Sequence, residues 1–177
     1  MLELSFARIH KPEDRWAEQG ESIMHGDKKV IAALNAALKE ELTAINQYFI
    51  HAEMCENWGY KKLSGFIKKQ SIDEMKHAEA LIERILFLDG IPRMADPMSL
   101  NIGQSVKAQL ENDLKLEVGA VAMYNASAKL AGEAGDHASR DLFVRLLKDE
   151  EQHADWLETQ VGQIKELGAE NYLTQQL

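Results

Sequence analysis

Apolar residues recur three and four positions apart through four long stretches of the chain, the spacing of amphipathic helices. Between residues 28 and 57 neither proline nor glycine interrupts the pattern, and Asp27 stands where an N-cap belongs. Leu34, Leu38, Ile45, Tyr48 and Ala52 form the inward stripe; Glu41 falls inside it, whereas Glu40 falls on the polar side with Ala33 and Gln47. Gly59 ends this helix. A second is expected over residues 60–89, with Leu63, Ile67, Gln70, Glu74, His77, Leu81, Ile85 and Leu88 inward, stopped by Gly90-Ile91-Pro92. The following stretch through Asn101, with Pro92 and Pro97, is too irregular for a helix and long for a turn, so it reads as a crossover. A third helix is expected over residues 103–131, with Val106, Leu110, Glu117, Val121, Tyr124, Ala128 and Ala131 on one face. A fourth, over residues 136–167, carries Phe143, Leu147, Glu150, His153, Leu157, Val161 and Ile164, and Gly168 separates it from a short fifth in residues 169–177. Helices of roughly 30 residues are about 45 Å long. With no strand signal, the expected fold is all-α: a four-helix bundle with a long crossover between helices 2 and 3 and a short fifth C-terminal helix.

The polar members of these stripes repeat. An offset of 76 residues carries Glu41 onto Glu117, Tyr48 onto Tyr124, Glu74 onto Glu150 and His77 onto His153. Each half therefore reads Glu, then Tyr, then Glu-x-x-His, and a spacing of three puts Glu and His on one helix face. Carboxylates on an apolar face are costly unless paired or bound to metal, and no lysine or arginine shares these stripes. Four converging carboxylates would raise one another's pKa, which two divalent ions would relieve. Glu41, Glu74, His77, Glu117, Glu150 and His153 are thus the expected ligands, each ion taking one terminal Glu and one His, with Glu74 and Glu150 bridging. Mixed oxygen and imidazole donors suit iron or manganese better than a thiolate-seeking metal. Tyr48 and Tyr124 are either packed core residues bonded to a ligand carboxylate or, for Tyr48, an electron source during oxygen chemistry.

Composition narrows the class. At 177 residues the chain is expected to form one domain. Its 45% hydrophobic and 28% charged residues suit a globular protein. A net charge of −9 argues against a nucleic-acid partner. The one cysteine, Cys55, fits a reducing cytoplasm, and no apolar run approaches the roughly 20 residues of a membrane span. Residues 1–23, with Pro12, Gly20 and only scattered apolar side chains such as Phe6 and Trp16, read as a poorly ordered N-terminal extension ahead of a domain at 24–177.

One Glu from each of two helices plus Glu-x-x-His from the other two is the recognised ligand arrangement of ferritin-like bundles, a resemblance rather than a derivation. Within that class the chain resembles the bacterioferritins from Met24 to Leu177. The resemblance rests on Ala44-Ile45-Asn46-Gln47-Tyr48-Phe49, Asn57-Trp58-Gly59, Ser71-Ile72-Asp73-Glu74-Met75-Lys76-His77-Ala78 and Glu83-Arg84-Ile85-Leu86-Phe87-Leu88. It continues in Leu100-Asn101-Ile102-Gly103, Ser139-Arg140-Asp141 and Asp155-Trp156-Leu157-Glu158. It implies a ferroxidase that binds two iron ions per subunit, oxidises Fe(II) and stores ferric mineral inside a homo-oligomeric shell of 24 subunits built from dimers. It also implies haem b shared between two subunits, with Met75 on the iron, and an electron-donating ferredoxin as partner for iron release. Met75 lies about 100° around the helix from Glu74, so it is expected to face outward. Lys69 and Gln70 stand where many bacterioferritins carry His and Glu, which puts an extra inner-wall iron site in doubt.

Two other classes compete. One is a peroxide-consuming di-iron or dimanganese protein of the rubrerythrin or catalase kind, although a lone cysteine cannot supply a four-cysteine iron module. The other is a haem-carrying shell subunit whose iron chemistry belongs to a different chain type.

Overall fold

The computed structural model describes residues 25–96 and 98–177. Expectations for residues 1–23, Phe6 and Trp16 among them, and for Pro97 lie outside the described residues. Four long helices, α1 (Lys28–Asn57), α2 (Lys61–Phe87), α3 (Val106–Glu133) and α4 (His137–Leu167), are followed by the short α5 (Ala169–Thr174). There is no strand among the described residues, and no helix there is long and apolar enough to cross a membrane.

Local chemistry sets the helix ends. The Asp27 carboxylate accepts from the Lys29 and Val30 amides at 2.6 and 3.3 Å, Ser105 caps α3 through Ala108, and Asp136 caps α4 through Ser139. These side chains satisfy amides that have no partner inside the helix. Two boundaries differ from the sequence expectation. Helix α2 stops at Phe87 rather than 89, because Asp89 takes a left-handed conformation (φ 56°) and the Gly90 amide turns back to the Ile85 carbonyl at 2.8 Å. A short polar side chain tolerates that conformation better than an apolar one. Helix α3 begins at Val106 rather than 103 and runs on to Glu133, because Ser105 is the cap and Gly132 is accommodated inside the last turn.

Short turns make α1 antiparallel to α2, and α3 antiparallel to α4. The crossover, residues 88–105, returns the chain along the length of α1 so that α3 runs antiparallel to α1 as well. Its path is held by buried polar side chains of α1. Asn35 bonds the Ile91 carbonyl and the Arg93 amide; Gln47 accepts from the Asn101 amide at 2.8 Å. His51 Nε2 accepts from the Gly103 amide at 3.1 Å, which leaves the ring proton on Nδ1, 2.9 Å from Asp113 of α3. Gln47 donates to the same carboxylate at 2.8 Å. The expectation that Gln47 lies on a polar face is therefore corrected: it is buried, because crossover and α3 cover that side of α1. Gly103 is required by space, since a Cβ there would sit 2.3 Å from the Gln109 backbone nitrogen.

Two apolar clusters fill the bundle. Val30, Leu34, Leu38, Leu81, Ile85, Phe143 and Leu146 belong to one, and Ala52, Leu63, Ile67, Leu110, Leu157, Ile164 and Tyr172 to the other. The polar residues of the stripes lie between them.

Asp113→Ala would leave Gln47 and His51 buried without their shared acceptor. A buried neutral donor left without its acceptor costs about 1–3 kcal/mol. Chemical denaturation should show a loss of that order, and a change within about 0.5 kcal/mol would remove the network from any part in holding the crossover.

Candidate metal centre

Six side chains from four helices converge at mid-bundle: Glu41 from α1, Glu74 and His77 from α2, Glu117 from α3, and Glu150 and His153 from α4. All six are buried. Their inward aim follows from helix registry, Glu74 and His77 sharing one face and Glu150 and His153 another. The neighbouring Glu151 is exposed and Glu40 only partly buried.

The donors fall into two groups, Glu41, Glu74, His77 and Glu150, and Glu74, Glu117, Glu150 and His153. Within each, one donor atom per residue lies within 4.8 Å of all the others. Glu74 and Glu150 belong to both. His77 Nδ1 is 2.8 Å from Glu74 and 3.1 Å from Glu150; His153 Nδ1 is 2.9 Å from Glu74 and 3.2 Å from Glu150. None of these approaches has hydrogen-bond geometry: both oxygens of Glu74, both of Glu150 and Nδ1 of each histidine are buried with no hydrogen-bond partner. Unsatisfied polar atoms this deep are costly. A cation shared among them would satisfy all six atoms at once, so the residues present fit a pair of metal ions.

The tyrosines complete the arrangement. Tyr48 of α1 donates its hydroxyl to Glu117 of α3, and Tyr124 of α3 donates to Glu41 of α1. Each therefore orients the buried glutamate of the opposite half. Burial, with the charges of Glu117 and Asp113, pushes the Tyr48 phenol well above its ordinary pKa, so it stays protonated as a donor. Met75 is not part of this group. It is 49% exposed on the outward side of α2, one turn from Ile72, also exposed.

The family model for the ferritin-like domain matches residues 31–167. A bacterioferritin of Brucella melitensis is 46% identical over 149 residues, covering 84% of this chain and 92% of the relative. Bacterioferritins of Mycolicibacterium paratuberculosis and Rhodobacter capsulatus are each 43% identical, over 86% and 84% of this chain and 96% and 92% of their own lengths. The chain belongs to the bacterioferritin family.

Electrostatics in the cluster distribute protons unevenly. Burial lifts Glu41 well above the usual carboxylate range, opposed by His77 and reinforced by Glu150 and Glu74. Burial also lifts Glu117, reinforced by the charges of Glu74 and Glu150. Burial would lift Glu150 too, but His153 and His77 outweigh it and bring its pKa to about 2. The same contacts overcome the burial of His153 and raise it to about 9, and His77 is raised still further. No lysine or arginine among the described residues pairs with any of the four glutamates. Among the described residues, the imidazoles are therefore the cations of the cluster.

Residues to which the sequence assigned no part in this centre lie beside it. Gln47, His51 and Asp113 form the buried network already described, and Asp73 and Asp149 flank the Glu-x-x-His motifs. The i, i+4 spacing of Asp113 and Glu117 on one stripe was the available signal.

Metal ligation needs neutral imidazoles and ionised carboxylates. Since His153 holds its proton below about pH 9, binding at pH 7 should release protons, and affinity should fall as pH drops from 9 to 6. Calorimetric titration with Zn(II) in buffers of different ionisation heat measures this. Binding with no proton release would contradict the proton distribution above.

Proposed function

We propose that this chain is an iron-storage ferroxidase. Two Fe(II) ions per subunit are its substrate, and they are oxidised to Fe(III) for deposition as a hydrated mineral inside a closed shell of 24 copies. The observation that carries this reading is the set of buried, partnerless oxygen and nitrogen atoms in two groups that share Glu74 and Glu150. Oxygen-rich donors with one imidazole per ion suit iron. The relatives' printed name, bacterioferritin, supports the same substrate.

In this reading Glu41 and His77 hold one ion, Glu117 and His153 the other, and Glu74 and Glu150 bridge them. Two Fe(II) give up one electron each, and dioxygen or peroxide accepts the pair. The chain holds the ions at a fixed separation and neutralises their charge. The apolar clusters on either side exclude bulk water, which strengthens each carboxylate's grip. Where dioxygen is reduced beyond the two-electron level, Tyr48, hydrogen-bonded to Glu117, is the donor of a further electron to it in this reading. Met75 offers an exposed thioether on an apolar patch with Ile72, which fits one axial ligand of a haem completed by a second copy of the chain. Such a haem would supply one-electron chemistry for mineral reduction, with a ferredoxin as donor.

Fe(II) oxidation followed by absorbance tests the centre. Glu74→Ala and His153→Ala should each slow it by more than about 10-fold, since loss even of an outer-shell partner typically costs 10–100-fold. Variants that match the parent would sink the assignment. Mass and metal analysis of the purified assembly tests the storage reading. A 24-copy shell containing iron mineral is expected, whereas a dimer holding two manganese per chain would favour the peroxide-consuming alternative. Met75→Ala should abolish haem binding, read from the haem absorption of the purified protein, while leaving Fe(II) oxidation intact.

A further inference from the structure

The repeat of 76 residues extends one position beyond the ligands, because it also carries Asp73 onto Asp149. Each inward Glu-x-x-His motif is thus preceded by an aspartate. Both aspartates line a groove of about 720 Å³ between α2 and α4, and His77 and His153 form part of the same wall. The imidazoles turn Nδ1 towards the carboxylate cluster, which leaves Nε2 of each ring for the groove side.

The two aspartates are not equivalent there. Asp149 of α4 lies 3.5 Å from His77 Nε2, within ion-pair range and one small side-chain rotation from a hydrogen bond, and is half-exposed; no lysine or arginine pairs with it among the described residues. Asp73 of α2 has no such approach to His153. It is held instead by Lys76 at 2.7 Å and Lys69 at 3.6 Å, and its side chain is only 23% exposed. The repeat supplies the same carboxylate twice, but only one copy is held by cations: the positions matching Lys69 and Lys76 are Arg145 and Gln152, and neither pairs with Asp149 among the described residues.

We propose that Asp149 is a positioning residue for His77, accepting the Nε2 proton so that Nδ1 is fixed as the donor to metal, and that the lysine clamp on Asp73 denies His153 the same support. The inference rests on the dinuclear reading above. A carboxylate on the outer nitrogen fixes the tautomer and raises the basicity of a ligating imidazole. The ion held by Glu41 and His77 is therefore bound more tightly than the ion held by Glu117 and His153. The second ion is the one that leaves first.

Titration of the metal-free assembly with Co(II), followed by its visible absorption, tests this. The parent should bind two Co(II) per chain in two steps of unequal affinity. Asp149→Ala should weaken the tighter step by about 10–100-fold, alter the spectrum of that ion, and leave the weaker step unchanged. Asp149→Asn, whose carbonyl still accepts from Nε2–H, should recover most of the loss. Glu151→Ala, an exposed acid two positions on, serves as the charge control and should change neither step. The pair Lys69→Met and Lys76→Met should free Asp73 and bring the two affinities together. Thermal unfolding of each variant shows whether the fold is retained. Asp149→Ala binding both ions as the parent does, or losing both equally, overturns the proposal while leaving the dinuclear site standing. Failure of the parent to bind two Co(II) overturns the dinuclear reading and this inference with it.

Discussion

Four glutamates in the middle of a helical bundle, with no lysine or arginine among the described residues to meet them, set the terms for the rest of this structure. Moving ionised carboxylates out of water costs several kcal/mol each unless a counter-charge accompanies them. Among the described residues the cations at the cluster are two imidazoles, and they share their charge among all four acids. The bundle spends its length on either side of this cluster. One apolar cluster lies towards the start of α1 and the end of α2, the other towards the end of α1 and the start of α2. That placement keeps solvent from the carboxylates.

Holding the cluster together demands that α1 and α3 stay in register, and the crossover contributes to this. Asp113 lies one turn before Glu117 on α3, while Gln47, Tyr48 and His51 occupy adjacent positions on α1. The hydrogen bonds from Gln47 and His51 to Asp113 therefore fix the same helix pair that brings the Tyr48 hydroxyl to Glu117. The same two α1 side chains bond the crossover amides of Asn101 and Gly103. Crossover path and site geometry are thus two consequences of one buried network.

The halves of the chain repeat inward and diverge outward. Glu, Tyr, Asp, Glu and His recur at the offset of 76, yet Met75 and Lys76 correspond to Glu151 and Gln152. Inward positions must satisfy one shared centre, so both halves carry the same chemistry. Outward positions face different surroundings. On α2 they present an exposed apolar patch and a lysine pair, and the lysine pair reaches back to the aspartate beside the site.

Helical periodicity and the repeat determined most of what lies inside this protein. The spacing of apolar positions foretold five helices to within three residues at each boundary, and the same spacing selected Glu41 over Glu40 and Glu150 over Glu151. Those choices were legible because burial on a helix depends on a fixed angle of about 100° per residue, which any sequence displays. The family was legible too, in contiguous motifs. The environment of a side chain that faces another segment is different, because it depends on what arrives there from far along the chain. Periodicity assigned Gln47 to a polar face, and only the crossover, more than 50 residues later, turned that face into interior. The pairing of each tyrosine with the opposite half's glutamate, the reach of Asp149 to His77 across two helices and the capture of Asp73 by lysines were likewise decided by tertiary structure. A helix's own sequence states which way a side chain points, and the packing of its neighbours decides what that side chain meets.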